Sequence, residues 1–179
     1  AHNWKSMAVW LKLALASSAM VAAYGVGYWL AFERRTHVAV GRALTLLGVL
    51  LFGANIWLVA QVFNISAHSS GGVLLWAIGA MLVAHALQDR PIAYLSMALL
   101  TLWTTLGHAQ RIDPRGYLFP VVMAGAGLPL VLSLKSRIAA VQAILSVVVW
   151  LAVLFGWQGI FGGTLVFVGA TQVFFLLLY

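Results

Sequence analysis

The 179 residues are 64% hydrophobic and only 7% charged, and ten basic against three acidic side chains give a net charge of +7. Soluble domains carry about 25% charged residues, so this composition excludes a soluble protein and predicts an integral membrane protein. The basic residues are scattered between apolar segments, which argues against nucleic-acid binding. The sequence contains no cysteine, so these residues form no disulfide and no thiolate metal site.

Seven apolar segments approach the roughly 20 residues that cross about 30 Å of hydrocarbon. Pro91 suits the start of the fourth segment, whereas Pro120 and Pro129 predict an interruption or kink in the fifth. The segments are continuous rather than alternating, so we predict an all-α, polytopic membrane helix bundle with one transmembrane domain over residues 1–179. In chain order the segments are 7–31, 38–62, 71–88, 91–108, 117–134, 137–155 and 158–178.

The distribution of lysine and arginine predicts the orientation. Basic residues in short loops favour the cytoplasmic side of a membrane. We therefore expect the first, third and fifth loops to be cytoplasmic, and residues 64–71 and 108–116 to be external. The cytoplasmic set is Arg34, Arg35, Arg90, Lys135 and Arg137, and the opposite set is Lys5, Arg111 and Arg115.

Small residues recur at helix-packing spacing in two segments. Ala14, Ser18 and Ala22 lie four residues apart in the first segment, and Gly159 and Gly163 do so in the last. Such spacing lets helix backbones approach closely in lipid. We favour packing within one bundle over a separate dimer face.

The second segment carries polar side chains where a bilayer disfavours them. Trp57, Gln61, Asn64 and His68 are spaced by four, three and four residues and share one helix face, while Asn55 points elsewhere. Two interpretations stay open: a polar lining of a small cavity open to the outside, or hydrogen bonds between helices. We favour the second. The candidate binding residues are Asn55, Gln61, Asn64, His68 and Trp76, and the same two interpretations apply to Gln142 and Gln172.

The histidines form a second pattern. His37 starts the second segment and His85 lies near the end of the third, so antiparallel helices would place them at similar depth. Paired histidines ligate haem iron or relay protons, although a histidine at a helix end is also simply solvated. No HExxH or similarly spaced metal motif occurs, and haem is the one cofactor considered.

Nothing in the sequence indicates catalysis. The three carboxylates, Glu33, Asp89 and Asp113, lie in predicted loops close to arginines, which is typical of capping or orienting charges. No nucleophile-elbow motif and no phosphate-binding glycine loop is present. No acid lies in the middle of a segment, which argues against a proton-coupled carrier.

Three stretches resemble a known family. They are AHNW at 1–4, GVLLFGANIWLVAQVFNI at 48–65 and LLWAIGAMLVAHALQDRP at 74–91. With them the first 108 or so residues are similar to the bacterial predicted membrane proteins catalogued as domain of unknown function 2157, although Phe63 and Asn64 replace a Tyr-His pair. The resemblance implies a multi-pass bacterial inner-membrane protein, part of a longer chain with at least one helix upstream, and it supplies no activity.

We therefore expect a membrane subunit without enzymatic activity, acting as a binding, scaffold or accessory component. Its site would lie at the turn between the second and third helices. Its partners would be the lipid bilayer, another membrane subunit or a second copy. The alternative is a small-solute transporter or channel lined by Gln61, Asn64 and His68, and a third interpretation is a haem-binding subunit held by His37 and His85.

Overall fold

The computed structural model describes residues 8–64, 70–109 and 118–155, and all secondary structure in these ranges is helical. This confirms the predicted all-α class. The helices match the first six predicted segments to within two residues at each end, whereas the seventh segment, 158–178, lies outside the described residues. In chain order they are α1 (Val9–Glu33), α2 (Val38–Val62), α3 (Gly71–Leu87), α4 (Arg90–Ala109), α5 (Leu118–Leu134) and α6 (Arg137–Leu154).

Three helices of the described ranges, α1, α2 and α6, are long and apolar enough to cross a membrane. Helices α3 and α5 are apolar but shorter than 18 residues. Helix α4 has 20 residues, and its serine and threonine side chains lower its hydropathy. Seven membrane crossings therefore stay a prediction.

The chain divides into two compact units, Ala1–His68 and Ser69–Tyr179. Among the described residues, the N-terminal unit contains α1 and α2, and the C-terminal unit contains α3 to α6. A single transmembrane domain over the whole chain stays a prediction.

The N-terminal unit is a hairpin in which the backbones of α1 and α2 touch. A Cβ atom added to Gly27 would lie 2.8 Å from the carbonyl oxygen of Gly41 and from the backbone nitrogen of Thr45. In hydrocarbon no hydrophobic force pulls helices together, so close backbone approach supplies the van der Waals contact that does. Glycine at both positions is what permits this approach.

The small residues predicted to pack in α1 do not line this contact. Ala14, Ser18 and Ala22 are exposed, whereas α1 buries Ala23, Gly27 and Ala31. The physical reason is that the glycines of α2 select which side of α1 can approach, and spacing within α1 carries no information about its partner. The predicted use of the Ala14 set for packing is thus wrong within this unit.

Helix α4 lies at the centre of the C-terminal unit. Eleven of its residues between Ile92 and Thr104 are buried, against α3 on one side and α6 on another. This burial accommodates the polar side chains of α4, because their hydrogen bonds are made to protein rather than lost in lipid.

The turns that follow α3 and α5 have the same local structure. Gln88 and Lys135 adopt left-handed backbone conformations, with φ of 50° and 48°, and end α3 and α5. The next residue caps the following helix: the Oδ1 atom of Asp89 accepts from the backbone N–H of Ile92, and Ser136 caps α6 in the same way. Asp89 thus caps α4, which is one of the two roles, capping or orienting, that the sequence predicts for it.

Helix α5 is widened rather than broken by its prolines. Residues Met123–Gly127 form a π-helical segment that ends two residues before Pro129. Proline has no N–H, so it cannot donate to a carbonyl one turn back, and a local π segment is a common way to absorb the defect. The interruption predicted for this helix is therefore a change of winding within a continuous helix.

Candidate functional site

The side chain of Asn55 connects α2 to α1. Its Nδ2 atom donates to the backbone carbonyl oxygens of Ala16, at 3.2 Å, and Leu51, at 2.9 Å. Its Oδ1 atom accepts from the hydroxyl of Ser17 at 3.4 Å. Asn55 is 9% exposed, and its amide lies on the same side of α2 as the glycine contact. The contacts with Ala16 and Ser17 are interhelical hydrogen bonds, the interpretation that we favour for Asn55, whereas Leu51 belongs to α2 itself.

The other polar residues of α2 are turned outward. Trp57, Gln61 and Asn64 are exposed, and the chain leaves α2 at Asn64 with a left-handed φ of 51°. His68 lies outside the described residues, and Trp76 is half-buried on α3 in the C-terminal unit. The structure thus separates Asn55, which contacts α1, from the exposed end of its own helix.

The two proposed haem ligands belong to different units. His37 is exposed immediately before α2. The Nε2 atom of the half-buried His85 lies 2.8 Å from the carbonyl oxygen of Ala126, in the π segment of α5. Because a carbonyl oxygen only accepts, Nε2 carries a proton, and Nδ1 is the nitrogen left for a ligand when the ring is neutral.

The described ranges contain no group of three or more His, Cys, Asp or Glu residues that could hold a metal ion. The haem interpretation stays a prediction. If it holds, the absorption spectrum of protein purified from haem-replete cells shows a Soret band, and the His85→Ala variant lacks that band.

A polar contact joins α4 and α6, of which the sequence analysis named only Gln142. The Nε2 atom of Gln142 donates to the carbonyl oxygen of Tyr94 at 2.8 Å, and the hydroxyls of Thr101 and Ser146 lie 2.8 Å apart. Nearer the start of α6, the Tyr94 hydroxyl lies 2.9 Å from the Ser136 hydroxyl. The available signal was spacing: Tyr94 and Thr101 lie seven residues apart, and Ser136, Gln142 and Ser146 are separated by six and four.

The α4–α6 contact predicts energetic coupling between Thr101 and Ser146. In a double-mutant cycle, Thr101→Val and Ser146→Ala should couple by about 0.6 kcal/mol and by no more than roughly 1.7 kcal/mol, the range for such bonds in membranes. The measurement is unfolding by a denaturing detergent. Thr105→Val serves as the control partner, because the Thr105 hydroxyl bonds to Leu102 of its own helix. Additive effects of Thr101→Val and Ser146→Ala would contradict the prediction.

Comparison with known proteins identifies the family. Residues 1–93 match the family model described as Predicted membrane protein (DUF2157). The chain belongs to this family. The match covers α1, α2, α3 and the start of α4, which is shorter than the resemblance seen in the sequence. No curated protein and no solved structure matches the chain. Membership of DUF2157 agrees with the apolar helices in placing the protein in a membrane, and it names no activity.

Proposed function

We propose that this member of DUF2157 is a multi-pass accessory or scaffold subunit of the bacterial inner membrane that binds its partner at the end of α2. The observation that carries the proposal is the exposed face of Trp57, Gln61 and Asn64. Trp57 and Gln61 are four residues apart and lie along one side of α2, and Asn64 follows two residues after the helix ends. Exposed amides beside hydrocarbon favour contact with a polar group of another molecule.

The length of α2 supports binding near the membrane surface. Its 25 residues span about 37 Å, whereas the hydrocarbon core is about 30 Å thick. Gln61 and Asn64, at one end of this helix, therefore reach the interface, where a polar partner binds without complete loss of water. Asn55 lies on the other side of α2 and stabilises the hairpin. One side of α2 therefore stabilises the unit, and the other side binds the partner.

The partner is another membrane subunit, a second copy of the chain or a lipid headgroup, all of which offer polar groups at this depth. Native mass spectrometry of protein extracted gently from its own membranes distinguishes them by mass. We expect a defined added mass on the wild-type chain and its loss from the Gln61→Leu/Asn64→Leu variant. Val59→Ala is the matched control, because Val59 is exposed on α2 but lies away from this face.

Three outcomes contradict the proposal. A bare wild-type monomer, or an added mass that persists in the double variant, removes the end of α2 as the binding site. Solute flux in liposomes that depends on Gln61 and Asn64, with no bound partner, would replace the scaffold with the transporter.

A further inference from the structure

The side-chain oxygen of Gln142 is buried without a hydrogen-bond partner. Gln142 is 4% exposed, and its Oε1 atom contacts no donor in the part of the chain that the structure describes. The Nε2 atom donates to the Tyr94 carbonyl at 2.8 Å, which fixes the direction of the amide. Exchanging the two amide atoms would bring two acceptors together, so the unpartnered atom is the oxygen.

The neighbouring hydroxyls have no proton to spare for this oxygen. The Oγ1 atom of Thr101 lies 2.8 Å from both the Met97 carbonyl oxygen and the Ser146 hydroxyl. The Ser146 hydroxyl lies 2.9 Å from the backbone carbonyl oxygen of Gln142. These three contacts compete for only two hydroxyl hydrogens, and turning either one toward Oε1 would leave a contact without its hydrogen bond. The missing donor must come from a molecule other than this pair.

The surroundings of Gln142 favour a very small donor. Tyr94, Met97 and Ala139 form a buried apolar cluster, and Ala143 packs against it. Ala139 precedes Gln142 by three residues on α6 and Ser146 follows it by four, so two of the side chains that share its helix face are short. A buried water molecule is the donor that proteins ordinarily use to satisfy an interior polar atom.

We propose that Gln142 Oε1 binds a water molecule inside the α4–α6 contact, a site separate from the end of α2. Gln142 follows Arg137 by five residues, so it lies about 7–8 Å along α6 from the basic end of the helix. The hydroxyl pair of Tyr94 and Ser136 lies at that same end, because Ser136 is the N-cap of α6. Water therefore reaches Gln142 from the membrane surface near Arg137, through the hydroxyl pair, and not through the hydrocarbon.

Water-edited solid-state NMR of the full chain in lipid bilayers tests the site directly. After selective excitation of water protons, we expect early transfer to the side-chain amide of Gln142. Asn55 is the matched control, because its buried amide donates to the Ala16 and Leu51 carbonyls and accepts from Ser17. The side-chain amide of Asn55 should show no early transfer from water. The signal assigned to the Gln142 amide should be absent from the spectrum of Gln142→Met.

The wild-type spectrum decides the question even if a variant fails to fold. Absence of early transfer to Gln142, or equal transfer to Gln142 and Asn55, would overturn the water site. Transfer from lipid protons alone would overturn it as well, since it would identify an acyl chain or headgroup as the neighbour.

Discussion

Replacing Gly41 with leucine is expected to separate α1 from α2 and to destabilise the N-terminal unit by about 3 kcal/mol or more, the upper end of over-packing effects. A Cβ at Gly41 would lie 2.6 Å from the backbone nitrogen of Ala31 and 2.7 Å from both the Ala31 Cβ and the Gly27 carbonyl oxygen. Two of these atoms belong to backbone, so no side-chain rotation can relieve the contact. The helices must move apart instead.

The measurement is the free energy of unfolding in mixed micelles, from a denaturing-detergent titration followed by circular dichroism. Gly25→Leu is the matched control, because Gly25 is also a helical glycine but has nothing within 4 Å of an added Cβ. It should be neutral or stabilising, since glycine is about 1 kcal/mol less favourable than alanine within a helix. Equal midpoints for Gly41→Leu and the wild type would show that the backbones do not touch.

Replacing Asn55 with leucine is the second large effect that we expect, with a loss of about 0.6–2 kcal/mol in stability. Leucine has nearly the same shape, so the change removes the bonds to Ala16 and Ser17 without opening a large cavity. The Ser17 hydroxyl would lose its acceptor on α2. Both losses fall on the contact between α1 and α2, so the effect should appear in stability and not in ligand binding alone.

Gln61→Leu is the control for Asn55→Leu, because it makes the same chemical change on an exposed position of the same helix. It should leave the detergent midpoint nearly unchanged, while Asn55→Leu lowers it. If both variants unfold at the wild-type midpoint, Asn55 does not stabilise the hairpin, and the interpretation of Asn55 as a cavity-lining residue is favoured instead. If both are destabilised equally, the separation of the two sides of α2 is wrong.

The two units keep their helices together by different means. In the hairpin of α1 and α2, glycines let the two helix backbones touch near the start of α2. Nearer the other end of α2, the amide of Asn55 hydrogen-bonds to α1. The contact of α4 with α6 relies on hydroxyl and amide side chains. Both solutions bury polar atoms between helices because lipid cannot satisfy them.

Composition and hydropathy were sufficient for the class of protein and for the helices. Apolar length and turn residues are local properties, so six helices were predicted to within two residues at each end. The family was likewise recognisable from three short stretches, all within residues 1–93 that match the family model. Asp89 was predicted to be a capping or orienting charge, and the structure shows that it caps α4.

Only the tertiary structure decided what each polar side chain does. Asn55 and Gln61 are both amides on one helix, yet one bonds to α1 and the other is exposed. The unpartnered oxygen of Gln142 and the contact of His85 with the π segment of α5 were equally invisible in the sequence. The physical reason is that a hydrogen bond depends on how a helix is rotated toward its neighbour. That rotation is set by close-packed residues far away in the chain, such as Gly27 and Gly41, and not by the spacing within one helix.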